Sequence, residues 1–157
     1  MGILKKKEYN LNSGFSLIEV LIFISILSIF FVAAISVSVT SLRNMKINEH
    51  KIIATRYSQE LLDWIRAERE ENWDAFHNKS IGTYCFNELV LSSWPDNKES
   101  CLESGSEYSL GSGIQYKREA NLSQVSDTQV KINIITEWQE LGNTYSVPIN
   151  TVVAIWE

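Results

Sequence analysis

One run of 23 residues without a charge, Val20 to Leu42, headed by a single carboxylate at Glu19, constrains this chain more than any other feature. As a helix it spans about 35 Å at 1.5 Å per residue, enough to cross a hydrocarbon core with some tilt. An ionised Glu within a membrane helix costs about 3 kcal/mol or more, so such a residue calls for a function and a partner. Lys5, Lys6 and Lys7 stand upstream against one acid, Glu8. By the positive-inside rule they hold that end in the cytoplasm, and everything after Leu42 is expected outside it.

The residues around the carboxylate are Gly14-Phe15-Ser16-Leu17-Ile18-Glu19-Val20. This stretch resembles the processing site of type IV prepilins and type II secretion pseudopilins. In that family a prepilin peptidase cuts a short basic leader after the Gly, and the new terminal residue is N-methylated. The resemblance implies cleavage between Gly14 and Phe15, methylation of Phe15, and an assembly role for Glu19. There the carboxylate pairs with the terminal amine of a neighbouring subunit. Four features join in the motif: leader charge, Gly, a long apolar run, and a Glu at fixed offset. Two plainer readings explain less. A secretory signal has an apolar core of about 7–15 residues before a small-residue site; Val32-Ala33-Ala34 offers such a site, but the run continues past it. A simple anchor fits the length and gives neither Gly14 nor Glu19 a role.

The organisation expected is a cleaved leader over 1–14, a membrane or fibre-core helix over 15–42, and an exported domain over 43–157. Without Lys5, Lys6, Lys7, Glu8 and Glu19 the exported part has 11 basic and 17 acidic residues, a net charge of −6. That acidity makes nucleic acid a poor candidate for a main partner. Cys85 and Cys101 enclose 15 residues. In an exported domain two cysteines favour a disulfide over a metal site, with two free buried thiols as the alternative.

From Phe15 to Ile81 there is neither Gly nor Pro, which predicts one long helix or two in tandem. Its first part is apolar all round. In the second, Ala54, Tyr57, Leu61, Trp64, Ile65 and later Phe76 share one face, a face that needs a sheet to cover. Between them Ile35-Ser36-Val37-Ser38-Val39-Thr40-Ser41 is weak for a helix, although its hydroxyls can bond back to the preceding turn. Many major pilins carry a Pro at the position of Ser36, and its absence fits minor pilins and pseudopilins better.

Strand candidates follow Gly82: Thr83–Leu91, Ile114–Leu122, Val130–Trp138 and Tyr145–Trp156. The third is the clearest, with Val130, Ile132, Ile134 and Trp138 on one side of the alternation. Leu141-Gly142-Asn143 reads as a hairpin loop. Pro148 suggests that one side of the last strand lacks a full ladder or is bulged. A polar loop is expected over Ser92–Gly113. The fold class is α+β: a long N-terminal helix, half transmembrane and half amphipathic, laid on a small antiparallel sheet. This is the pilin architecture, and the closing strand–turn–strand run with Trp138 and Trp156 resembles V-type minor pilins.

Catalytic chemistry finds no constellation. His50 and His77 lack a neighbouring nucleophile, a His77–Cys85 metal site lacks the spacing of a strong ligand set, and Gly111-Ser112-Gly113 is a turn without a following Lys-Ser/Thr. Lys117-Arg118, the one adjacent basic pair of the exported part, reads as a solvated pair on a strand, with a DNA contact as the alternative. Trp94 is read as a lid over the core, or else as an exposed adhesive residue. No enzyme, cofactor or metal is expected. The expected function is a minor type IV pilin, held in the cytoplasmic membrane and then added to a fibre. Its partners would be the peptidase/methylase, other pilins and the assembly platform. A type II secretion pseudopilin, in a periplasmic pseudopilus, is the rival within the class; a single-pass anchored ligand-binding or sensory domain is the rival outside it.

Overall fold

The structure is a computed structural model that describes residues 14–155 apart from 80, 104 and 106. Helix α1 runs Leu17–Glu71 and is followed by a short helix, α2, at Trp73–Lys79. Both lie inside the stretch that lacks Gly and Pro. The break between them falls at Asn72, whose side-chain oxygen accepts the Ala75 amide at 2.9 Å, as an N-cap does. At the other end the helix starts two residues later than Phe15, because Ser16 takes the capping position. Its carbonyl accepts from the Glu19 and Val20 amides at 3.0 and 3.2 Å.

The weak stretch over 35–41 stays helical. Ser38 Oγ donates to the Ala34 carbonyl and Thr40 Oγ1 to that of Ser36, each at 2.9 Å. The hydroxyls therefore bond within the turn they were suited to disrupt.

By internal contacts the chain divides into two units, Met1–Asn44 and Met45–Glu157. In the first, every described residue is exposed. The second holds the core, where the later part of α1 packs on a four-stranded antiparallel sheet whose strands lie side by side in chain order. The strands are β1 Gly82–Cys85, β2 Tyr116–Ser126, β3 Gln129–Glu140 and β4 Asn143–Ala154. On β3 the alternation is strict: Val130, Ile132 and Ile134 are fully buried and Trp138 nearly so. Thr136 fills the remaining inward position and reaches Ser58 of α1, hydroxyl to hydroxyl, at 2.7 Å. Two core clusters result. Ala54, Leu110, Tyr116, Trp138 and Val147 form the first. Leu61, Ile65, Phe76, Trp94, Ile132 and Ile134 belong to the second.

Three sequence expectations are adjusted. The first strand ends at Cys85 rather than Leu91, because Asn87 Oδ1 takes the Arg118 amide at 2.7 Å in place of a backbone carbonyl. The second begins at Tyr116 and runs on to Ser126. The last spans Asn143–Ala154 and forms the sheet edge, where one side has no ladder and the missing N–H of Pro148 is tolerated. Trp156 and the leader lysines lie outside the described residues.

Candidate functional site: the head of the helix and the anchored loop

Gly14, Phe15 and Glu19 lie together at the start of α1, all exposed. Phe15 sits just ahead of the helix and is 83% exposed. Glu19 falls in the first turn, where the amide dipoles favour a negative charge. No hydrogen bond or ion pair engages its carboxylate among the described residues. A Cβ added at Gly14 would meet nothing within 4 Å, and its φ is not in the left-handed range. The local fold therefore makes no demand for glycine there. Behind Glu19 the apolar side chains are open: Phe23, Ile29, Phe30 and Val32 are each more than 60% exposed. In length and composition α1 is a membrane-span candidate.

The second feature is the loop between β1 and β2. Cys85 and Cys101 are joined in a disulfide, with their Cα atoms 4.7 Å apart. The Cys101 amide donates to Glu119 Oε1 at 2.6 Å, and Glu119 stands opposite Cys85 in the β1–β2 register. Trp94 closes over the core. It is 8% exposed, meets Trp64 at 5.3 Å and Tyr84 at 5.2 Å between ring centroids, and donates its indole N–H to Glu68 at 2.8 Å. An adhesive role for Trp94 is thereby removed.

Arg118 corrects the sequence reading outright. It is not a solvated strand residue but fully buried. Its Nε donates to the Phe86 carbonyl and Nη2 to that of Glu88, each at 2.9 Å, while Nη1 donates to the Tyr57 carbonyl at 3.0 Å. Glu60 stands 3.4 Å from Nη1. Burial pushes the guanidinium pKa down, and Glu60 opposes that shift. The arginine thus ties α1 to the loop beyond Cys85. Lys117 on the opposite face is held by Glu137 at 2.9 Å. Neither cation of the pair is open to a phosphate backbone. A fork of donors matching three carbonyls could not be told from a solvated arginine by spacing alone.

The two histidines part company. His50 Nδ1 is 2.8 Å from the Tyr116 hydroxyl, whose pKa is pushed up to about 12, mainly by burial, with Tyr57, Glu49 and Glu140 adding to it. His77 stacks on Trp73. Cys85, the second ligand of the imagined metal site, has its sulfur in the bridge.

A protein built this way is an α+β subunit with an exposed apolar helix carried ahead of a folded domain. Comparison with known families gives the class a name: the prokaryotic N-terminal methylation motif matches residues 9–35, the signature of type IV pilins and pseudopilins. The match supports a pilin- or pseudopilin-like protein and points to a structural subunit. With the apolar helix, it points to membrane anchoring. No curated protein and no solved structure matches the chain.

Proposed function

We propose that the protein is a minor type IV pilin. A prepilin peptidase removes residues 1–14, the Phe15 amine is methylated, and the subunit waits in the cytoplasmic membrane with residues 43–157 outside. It then joins a fibre through its N-terminal helix, in contact with other pilins and the assembly platform. The observation that carries this reading is Glu19, a carboxylate without a partner among the described residues, at the head of an apolar stretch that is exposed throughout residues 14–44. A neighbouring subunit's terminal amine, charged at neutral pH, supplies the missing partner. The absence of Pro at Ser36 supports a minor pilin, and equally a pseudopilin of type II secretion, which shares the whole motif.

Processing is tested at Gly14. The open space around it supports a glycine that serves the peptidase, since the local fold does not require one. Gly14→Val should leave the domain folded and abolish leader removal. A variant that still shifts on a gel by the mass of the leader contradicts the assignment.

A further inference from the structure

The two edges of the sheet are finished differently. β1 is four residues long and ends at the bridged Cys85, and the far end of β2 carries a register shift between Gln124 and Ser126. Short strands and bulges are among the devices that keep an edge from pairing with another chain. β4 has neither. All its residues, Asn143–Ala154, pair with β3 without a shift in register, and none of them is charged. A long, regular, uncharged edge is a template for a further strand unless something on it prevents pairing. The one residue of β4 that does so is Pro148.

Which groups of β4 face outward follows from the turn before it. Leu141 and Gly142, at φ 50° and 77°, form a two-residue turn of the I′ kind between Glu140 and Asn143. The pair flanking such a turn exchanges hydrogen bonds, and bonded pairs then alternate along the ladder. Odd-numbered residues of β4 therefore bond to β3, and even-numbered ones turn their N–H and C=O groups away. The far end agrees, since Ile155 donates to the Thr128 carbonyl at 3.1 Å, in the same phase. Pro148 falls in the outward phase. Its missing N–H interrupts the open edge and leaves the ladder to β3 whole. Beyond it, Asn150, Val152 and Ala154 present successive outward donors and acceptors, and the Val152 side chain is 53% exposed. Between the turn and Pro148 only Thr144 and Ser146 do so.

We propose that the edge from Asn150 to Ala154 is a dimer surface, and that its occupant is the same segment of a second copy, antiparallel, with Val152 on the two-fold axis. In that register Val152 faces its own counterpart and Asn150 faces the second copy's Ala154. Every outward N–H and C=O of the three residues then finds a mate, and Pro148 lies outside the paired segment. Composition selects a second copy as the occupant. A two-fold contact sets a segment against itself, so a charge on it would meet a like charge across the ladder. This strand carries none, and a charged partner strand would find no countercharge on it. The surface lies wholly within residues 45–157, so the proposal stands whether or not the leader is removed.

The test uses the full chain in detergent, with micelles in excess over protein, one cysteine introduced at Val152, Ser146 or Val125, and the native pair left bridged. Directly opposed bonded residues have Cα atoms about 5.5 Å apart, inside the range that a disulfide spans. Val125 is an exposed control on β2. Under mild oxidation Val152→Cys should form a covalent dimer several-fold faster than Val125→Cys or Ser146→Cys. Equal rates at Val152 and Val125 overturn the proposal, because collision or pairing of the apolar helices then accounts for the dimer. Faster linkage at Ser146 moves the contact to the other side of Pro148 and also overturns it. A charge supplies the second arm. Val152→Lys sets two cations against each other on the axis and should lower the dimer fraction in sedimentation several-fold, with the melting temperature unchanged. A monomeric wild type, or a folded Val152→Lys chain as dimeric as the wild type, overturns the proposal.

Discussion

Residues 14–44 and residues 45–155 use the same apolar side chains to opposite ends. In the first, Ile29 and Phe30 are 71% and 67% exposed; in the second, Ile132 and Ile134 are fully buried by α1 and the sheet. Hydrophobic burial stabilises a fold only where the chain itself supplies the cover. The second region satisfies that demand internally. The first does not, and needs lipid or other helices around it. Polar groups divide in the same way. Arg118 finds its acceptors within the chain, whereas Glu19 finds none among the described residues. Under the proposed function, the residues that folding leaves without partners among those described are the ones that assembly would engage.

The contrast can be broken most severely by truncating one isoleucine from each region. Ile134→Ala should destabilise the domain by about 4 kcal/mol, through lost burial and a cavity. Ile29→Ala should leave domain unfolding unchanged, within about 0.5 kcal/mol, as surface substitutions do. Urea denaturation of the full chain in detergent, followed by tryptophan fluorescence, measures both. A large effect of Ile29→Ala would mean that the apolar helix contributes to the domain's stability.

Polar satisfaction within the domain gives the next largest effect. Arg118→Met keeps bulk in the site but strips donors from the Phe86, Glu88 and Tyr57 carbonyls, and should cost about 3 kcal/mol. The same denaturation series checks it. Stability equal to the wild type would show that the buried guanidinium is dispensable. Reduction of the Cys85–Cys101 bridge should cost a similar amount, about 3 kcal/mol for a loop of this length. It should lower the melting temperature without abolishing the fold, because Arg118 and Trp94 still hold the loop. Calorimetry with and without reductant reads the shift. Loss of the whole transition on reduction would refute a core sufficient by itself.

How much of this was legible in the sequence follows the same division. The pattern Val130-Ile132-Ile134-Trp138 announced β3 because alternation reports burial directly. The Gly-free and Pro-free stretch announced the helices, and Leu141-Gly142-Asn143 announced the hairpin, though Asn143 already belongs to the last strand and the leucine itself occupies a left-handed position. The motif around Gly14 and Glu19 was readable because it is local. Arg118 was not readable. Its partners are carbonyls at Tyr57, Phe86 and Glu88, two of them in a loop without periodicity, and carbonyl positions leave no trace in residue types. The first strand was overextended for the same reason, since the Asn87 side chain and the guanidinium replace the ladder beyond Cys85.

The central claim of the proposed function is that Glu19, without a partner among the described residues, finds its partner in another subunit. Glu19→Gln preserves shape and removes the charge, so membrane insertion and leader cleavage should remain at wild-type levels. Incorporation should fall, since a charged amine entering an apolar fibre core would then be unpaired. The measurement is the amount of the variant in sheared fibres relative to membranes, in cells that assemble fibres normally. The account predicts a processed protein retained in the membrane and depleted from the fibre fraction. Glu19→Gln present in sheared fibres at the wild-type level would contradict it.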